Sequence, residues 1–275
     1  DGTSRRTTLY LPHRPQQGGT EGDTLTAEDA DLVKRLAGLE AVCGPEALSE
    51  HLAAAGAIFT PHQPAEGWKE TRYAAAAADK MVADDPWDAT QSRQQRLIDH
   101  LKMQYPQLRI HDLSPILDEL RAVKSPRQIE LLRRAGSLAA QAVTEAMRST
   151  RPGIFEYQLG ALADYLYRLH GARGHGYRPI IASGANAWHG HYFRNDCRMK
   201  DGDIVLMDTA PDYHYYTSDI GRMWPVNGTY APWQRELYGF IVEYHKVLLG
   251  RIRPGATADE IHDEAAAEMA KVLER

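Results

Sequence analysis

Residues 208–222 read DTAPDYHYYTSDIGR, and this stretch decides how the second half of the chain is interpreted. Asp208 closes an apolar run, 204–207, that is typical of a buried strand, and Asp219 follows eleven positions later. An isolated ionised carboxylate in a dry interior costs several kcal/mol of free energy. We therefore expect a positively charged partner where these two side chains meet.

The surrounding turn signals predict antiparallel strands that bring the two aspartates together. The segment 200–203 (KDGD) is a hairpin signal, which we expect to join the segment before it to the strand ending at Asp208. Asp212, after Pro211, predicts the next turn, so that Asp219 lies on the paired strand. Because side chains alternate along a strand, both carboxylates can face one side of the sheet.

Two neighbouring carboxylates are compatible with several kinds of chemistry. They could share one proton as an acid dyad, act as the acid and base of a glycosidase, or bind hard divalent cations. They could equally be strand-end aspartates that cap backbone N–H groups. A tight transition-metal site normally needs four or more ligands, so a metal site would require further ligands from elsewhere.

Three histidines lie near the aspartates in the sequence. His191 follows Gly190, His189 lies two positions before His191, and His214 falls between the aspartates. A neutral imidazole can ligate a metal or hydrogen-bond a substrate carbonyl. Spacing alone does not choose among the three.

Composition narrows the possible classes of protein. Charged residues make up 25% and hydrophobic residues 43% of the 275 residues, which is typical of a globular protein, and the net charge is only −5. The absence of a basic stripe argues against nucleic acid as a partner, and the absence of a long apolar stretch argues against a membrane. Two cysteines, Cys43 and Cys197, fit a reducing compartment, and we expect a cytoplasmic location.

Residues 1–111 predict an N-terminal α/β domain, because strand and helix patterns alternate along them. A second domain is predicted over 112–275. It opens with a long helix whose start, Ser125-Pro126-Arg127-Gln128, has the residues of a capping box. The predicted elements of the first domain are strands at 7–11, 57–60 and 108–110 and helices at 27–39, 45–55 and 94–105, with the form of 67–93 left open.

The second domain contains an internal repeat of helix, Arg-Pro-Gly and helix. The tripeptide occurs at 151–153 and again at 253–255, an offset of 102 residues. The repeat suggests two related halves, although Arg-Pro-Gly is also a common helix stop. In the first half, strands over about 179–224 follow the helix pair, whereas the second half ends on a helix. We therefore expect the chain to be a fragment that lacks the second set of strands, and, since it begins without Met, its natural start as well.

Four stretches resemble the Xaa-Pro aminopeptidases (aminopeptidase P), a pita-bread metallopeptidase family. They are SGANAWHGHY (183–192), NDCRMKDGDIVLMDTAPDYHYYTSDIGRMWPVNG (195–228), DLSPILDELRAVKSPRQIELLRRA (112–135) and, more loosely, LYLPHRP (9–15). The resemblance implies an α/β (α+β) protein, with an N-terminal α/β domain followed by a pita-bread domain of two pseudo-symmetric halves. The C-terminal half of that domain would be incomplete.

The resemblance also implies a site and a cofactor. The family holds two divalent metal ions, usually Mn²⁺ with Zn²⁺ or Co²⁺ tolerated, through Asp, Asp, His, Glu and Glu. Asp208 and Asp219 match the first two ligands, and His191 matches the histidine that hydrogen-bonds the substrate near the scissile amide. The other three ligands would lie beyond Arg275.

The implied function is removal of the N-terminal residue from peptides with proline at position two. Proline-containing peptides would be the substrates, and a homodimer or homotetramer the assembly. The alternatives are a prolidase that cuts Xaa-Pro dipeptides and a non-catalytic pita-bread binding module. The family commonly has Asp-Ala-Gly or Asp-Gly-Ala where this chain has Asp208-Thr209-Ala210, and Thr or Cys at Gly221, which leaves fine specificity open. These 275 residues alone are expected to be inactive.

Overall fold

The computed structural model describes residues 6–15, 24–62 and 72–273. The chain divides into two compact units, 1–123 and 124–275, and each is described by itself. The sequence predicted the domain boundary between residues 111 and 112, which is before the helix Ser114–Ala122, whereas the two units divide after residue 123. The domain boundary stays a prediction. None of the helices in the described ranges has both the length and the apolar content that crossing a bilayer requires.

The first unit alternates strands and helices. Its strands are β1 (Thr8–Tyr10), β2 (Ala41–Cys43), β3 (Ala57–Thr60) and β4 (Arg109–Asp112). Its helices are α1 (Ala30–Ala37), entered through a 3₁₀ turn at Ala27–Asp29, α2 (Pro45–Ala54), α3 (Arg72–Asp84), α4 (Arg93–Gln104) and α5 (Ser114–Ala122).

Two pairs of parallel strands organise this unit. Strand β1 pairs with β2, and β3 pairs with β4. Parallel strands need a crossover, and helices supply it between β1 and β2 and between β3 and β4. This arrangement agrees with the predicted α/β class. The segment whose form was left open, 67–93, lies partly outside the described residues, and its described part contains α3.

The second unit packs long helices against an antiparallel sheet. Its helices are α6 (Pro126–Ser149), α7 (Glu156–Leu169), α8 (Pro232–Arg251) and α9 (Ala258–Leu273). Its strands are β5 (Ile180–Ser183), β6 (Ile204–Asp208) and β7 (Gly221–Pro225), in the order β5-β6-β7.

The start of α6 follows from its sequence. Ser125 Oγ accepts from the backbone N–H of Gln128 at 3.3 Å, and Gln128 Oε1 accepts from the N–H of Ser125 at 2.7 Å, which confirms the predicted capping box. The buried stripe of this helix packs against α7 and the inner face of the sheet. The members that pack there are Leu138, Ala142, Val143 and Ala146, and Ala135 and Ala139 are also buried.

The prediction of a hairpin at 200–203 is wrong in one respect. The turn is present, with Asp203 N donating to Lys200 O at 3.2 Å, but β6 pairs with β5 and β7 and not with the segment before the turn. That segment instead accepts backbone hydrogen bonds from the start of α7, since Glu156 N donates to Cys197 O and Tyr157 N to Asn195 O. The pattern of turn residues did not reveal this competing partner.

The two helix pairs repeat with the predicted offset. Helices α6 and α8 end at Ser149 and Arg251, and α7 and α9 begin at Glu156 and Ala258, so both boundaries are displaced by 102 residues. The glycine of each connection has a positive φ, 92° at Gly153 and 84° at Gly255. The connections of both helix pairs therefore share a glycine with a positive φ at the same position.

Candidate metal centre

The two aspartates lie on one hairpin whose register fixes their relation. Asp208 pairs with Gly221 at the end of the β6–β7 ladder, and a further bridge joins Tyr213 to Tyr216 in the same register. Asp219 is therefore opposite Ala210, two residues beyond Asp208. Because positions two apart share a face, Asp208 and Asp219 are diagonal neighbours on one side of the hairpin.

The tip of this hairpin is a tight two-residue turn. Tyr213 and Tyr216 exchange backbone hydrogen bonds of 2.8 and 3.1 Å, and the central residues His214 and Tyr215 have φ values of 52° and 66°. Positive φ at both central positions is the geometry of a type I′ turn, which matches the twist of the flanking strands. Asp212 accepts the N–H of Tyr215 at 2.9 Å, so it is a turn residue as predicted.

Asp208 is half-buried and lies beside another acid. Burial raises the pKa of its carboxyl, and the nearby charge of Asp219 raises it further, while a hydrogen bond from Tyr177 and the proximity of His191 lower it. The hydroxyl of Tyr177 donates to Asp208 Oδ1 at 2.5 Å. Burial and the two carboxylates raise the pKa of Tyr177, so it remains a neutral donor.

This arrangement fits a divalent cation. Two carboxyl groups that interact on a partly buried face need a proton or a cation between them, and hard divalent ions prefer carboxylate oxygens. The donor from Tyr177 engages Oδ1 of Asp208, which leaves Oδ2 as a ligand atom. Outer hydrogen bonds of this kind orient ligating carboxylates in metal sites.

Of the three candidate histidines, His191 acts on the carboxyl of Asp208. Its backbone has φ 53°, and its ring stacks on that of Phe193 with centroids 5.8 Å apart. His189 is exposed at the end of the 3₁₀ turn Gly184–Trp188, and His214 occupies the hairpin tip. The structure thus brings Asp208, Asp219 and His191 together.

Behind Asp208 lies a buried polar network that the sequence did not reveal. Thr209 is fully buried, and its hydroxyl lies 3.2 Å from Tyr167 Oη and 3.1 Å from His175 Nδ1. Burial raises the pKa of Tyr167 to about 12 and lowers that of His175. The threonine that departs from the resembled motif therefore has partners of its own in this chain.

Sequence reasoning also missed Tyr177. Tyr177 precedes β5, whose first residue, Ile180, pairs with Asp208. A residue just before β5 therefore lies beside the end of β6. The only signal that could have found Tyr177 is the antiparallel pairing of β5 with β6, which had not been predicted.

Comparison with known proteins identifies the family to which the second half of the chain is similar. Residues 130–273, just over half of the chain, match the model of metallopeptidase family M24. The Xaa-Pro aminopeptidase of Escherichia coli is 41% identical over 162 residues, which cover 59% of this chain and 37% of that protein. The mitochondrial intermediate cleaving peptidase 55 of Arabidopsis thaliana is 36% identical over 154 residues, 56% of this chain and 31% of that protein.

Solved structures extend the likeness over both units. A variant of Escherichia coli aminopeptidase P in complex with substrate superposes with a TM-score of 0.71 at 28% identity, covering 96% of this chain and 57% of that one. Proline aminopeptidase P II from Yersinia pestis gives 0.65 at 30% identity, covering 86% and 51%. The expected fold, an N-terminal α/β domain followed by a pita-bread domain, is confirmed by these neighbours.

Fold and comparisons together define the family of this chain. The chain belongs to metallopeptidase family M24. It spans between about a third and three fifths of the length of the relatives described above.

Proposed function

We propose that this chain forms part of a metal-dependent aminopeptidase that removes the N-terminal residue from peptides whose second residue is proline. One observation carries the proposal: Asp208 and Asp219 share a face of one hairpin, with His191 close to Asp208, in a chain of this metallopeptidase family. Several relatives are named Xaa-Pro aminopeptidase, which favours this activity over a prolidase.

Each of these side chains has a distinct role in the proposed site. Asp208 and Asp219 hold divalent ions, and the hydroxyl of Tyr177 keeps Asp208 in a fixed orientation. Bound divalent ions supply Lewis acidity to the scissile carbonyl and lower the pKa of water. His191 is exposed beside the carboxylates and can donate a hydrogen bond to the substrate near the scissile amide.

We propose Mn²⁺ as the ion, with Zn²⁺ or Co²⁺ able to replace it, because an oxygen-rich ligand set accepts all three. A structure of Zn-substituted Escherichia coli aminopeptidase P with product resembles this chain at a TM-score of 0.71. We further propose proline-containing peptides as substrates, a homodimer or homotetramer as the assembly, and the cytoplasm as the location.

The experiment compares these 275 residues with the full product of the gene that encodes them. Mn²⁺ binding is measured by calorimetry, and release of the first residue is measured for an Arg-Pro-Pro peptide and for an Xaa-Pro dipeptide. We expect the full product to cleave the longer peptide, and Asp219→Asn to abolish both binding and cleavage. The two carboxylates of this hairpin are few ligands for a dinuclear centre, so the 275 residues by themselves should bind Mn²⁺ weakly.

Asp212→Asn is the matched control, since it lies on the same hairpin and retains a carbonyl oxygen for the N–H of Tyr215. Cleavage of the dipeptide alone would make the protein a prolidase. Metal binding that survives Asp219→Asn unchanged would remove the metal site from this hairpin.

A further inference from the structure

Among the described residues of the second unit, 124–273, a buried glutamate outside the proposed metal site has the most side-chain hydrogen bonds. Glu156, the first residue of α7, is fully buried. Its Oε1 accepts from Ser183 N and Ser183 Oγ, each at 2.7 Å, and from Asn186 Nδ2 at 3.0 Å. Its Oε2 accepts from Tyr192 Oη at 2.9 Å and from Cys197 N at 3.1 Å.

A metal at this carboxylate does not fit these contacts. Glu156, Asp196 and Cys197 have potential ligand atoms within 4.8 Å of one another. However, a carboxylate offers about four lone-pair positions, and five protein donors already point at Glu156. The glutamate is therefore committed to holding protein segments together.

The segment it holds includes His191. Tyr192 follows His191 directly, and its buried ring packs with Ile180 and Ala182 of β5. The hydroxyl at the end of this ring donates to Glu156. The buried carboxylate of Glu156 is therefore hydrogen-bonded to the residue next to His191.

His191 itself adopts a backbone conformation that needs such support. Its φ of 53° lies in the left-handed region, which only a few per cent of non-glycine residues occupy, although His, Asn and Asp do so more often than the others. Strained conformations of this kind persist when the surrounding structure over-determines them. Tyr192 is the nearest residue that anchors this segment, and Asn195 is the next. The side chain of Asn195 accepts from Ile181 N at 2.8 Å and donates to Pro179 O at 3.0 Å.

We propose that Glu156 is a positioning residue that acts through Tyr192 to hold His191 at the metal site. The role in peptide cleavage rests on the proposed function, but the mechanical link from Glu156 to His191 does not. Glu156 touches neither metal nor substrate in this proposal. Its effect is to fix where the imidazole of His191 stands relative to Asp208.

The test uses Glu156→Gln and Tyr192→Phe in the full gene product. Gln keeps the volume of Glu but replaces one acceptor oxygen with an NH₂ donor, and Phe keeps the ring while removing its hydroxyl. Ser183→Ala is the matched control, because it removes one bond to the same carboxylate on the Oε1 side and leaves the link to Tyr192. Backbone ¹⁵N relaxation over 189–193 reads the link directly, because it reports mobility whether or not an amide is hydrogen-bonded.

We expect the order parameters over 189–193 to fall from about 0.85, which is typical of rigid backbone, to below about 0.6 in both variants. Ser183→Ala should leave them near the wild-type values. A uniform fall across residues 124–273 would show a merely structural role and overturn the proposal, as would unchanged order parameters in Tyr192→Phe. If Glu156→Gln does not fold, Tyr192→Phe decides the outcome alone.

Kinetics separate this inference from the proposed function. We expect either variant to lower kcat about tenfold to a hundredfold, with Mn²⁺ affinity unchanged, because misplacement of one group by about 1 Å costs this much. Combined with His191→Ala, neither variant should reduce kcat further, whereas independent effects would multiply and contradict the proposal. If the wild-type protein cleaves no Xaa-Pro peptide, the proposed function fails, and the relaxation measurement still decides the link.

Discussion

The phenol of Tyr177 controls the orientation of Asp208 through one short hydrogen bond. Its hydroxyl reaches Oδ1 of the carboxylate, and its pKa is raised by burial and by the two neighbouring acids, so it stays protonated. A ligand oriented in this way loses less conformational freedom when a cation binds. The residue that orients the ligand therefore contributes to the metal affinity of the proposed site.

We predict that Tyr177→Phe weakens Mn²⁺ binding about tenfold to a hundredfold, the usual effect of removing an outer hydrogen bond to a metal ligand. Calorimetric titration of the full gene product measures the change. Tyr165→Phe, which alters a side chain that is 60% exposed, is the control and should bind as the wild type does. Equal affinities for Tyr177→Phe and wild type would show that the phenol does not orient Asp208.

At the scale of elements, a close approach of backbone segments supports the end of the β6–β7 hairpin. The segment before β5 runs beside it, with Gly176 N donating to Ala210 O at 2.8 Å and Arg173 N to Asp212 O at 2.9 Å. A Cβ at Gly176 would lie 2.9 Å from the carbonyl oxygen of Pro211 and closer still to Thr217 Oγ1. The hairpin can therefore keep this neighbour only if residue 176 is glycine.

We predict that Gly176→Ala lowers the free energy of unfolding by about 1–3 kcal/mol, the usual cost of overpacking. Gly239→Ala is a matched control, because Gly239 lies within α8 and a methyl group added there would have no atom within 4 Å. Alanine is the better helix former, so the control should gain about 0.5–1 kcal/mol. Urea unfolding measures the change in the free energy of unfolding of each variant. A decrease in both variants would refute the steric argument.

Helices were the elements best predicted from sequence, because their signals are local. Caps such as Ser125 with Gln128, and apolar spacing along α6, depend on residues three or four apart. The helix α5 was missed, since it lies where a domain boundary was expected. The pairing of β6 with β5 was missed because it joins segments separated by a long loop that contains its own turn signals.

In the candidate site, too, local patterns identified some residues, and residues placed by long-range contacts were missed. Asp208 and Asp219 could be found because they lie on one hairpin, and their shared face follows from strand alternation. Choosing His191 over His189 and His214 required the resemblance. Tyr177 and Glu156 act across sheet register and a loop path, so no local pattern could have identified either residue.

At the scale of the whole molecule, the two units carry histidines that respond to pH in opposite ways. In the first unit, His13 lies 2.7 Å from Glu28 and 3.0 Å from Glu46, and these hydrogen bonds raise its pKa above 6.5. In the second unit, burial lowers the pKa of His175, which is bonded to Thr209. The first histidine stabilises its unit when charged, and the second when neutral.

We predict opposite pH dependences for the two units. The contribution of His13 is fully present below pH 6.5 and is lost as pH rises through its folded pKa above that value. The contribution of His175 is present above pH 6.5 and is lost as pH falls through its folded pKa below that value. Glu28, whose pKa is lowered to about 2 chiefly by its hydrogen bond to His13, contributes above pH 4.5 and is lost as pH falls towards 2.

Hydrogen exchange of peptides from each unit, corrected for the intrinsic pH dependence, measures this contrast between about pH 5 and pH 8. The protection that His13 contributes to the first unit should decrease with rising pH, and the protection that His175 contributes to the second, where Asp208 has an opposing effect, should increase. His13→Gln and His175→Gln should each flatten the trend in their own unit only. Parallel trends in both units would contradict the assignment.

The hairpin that carries Asp208 and Asp219 sets the relative position of the two acids by the number of residues between them. Ten residues separate them, and the ladder continues in one register to a two-residue tip. Inserting or deleting a single residue in the arm that carries Asp219 would turn its carboxylate to the opposite surface, with the composition of the site unchanged. A change in the length of this arm would therefore separate the two carboxylates even if every side chain of the site were retained.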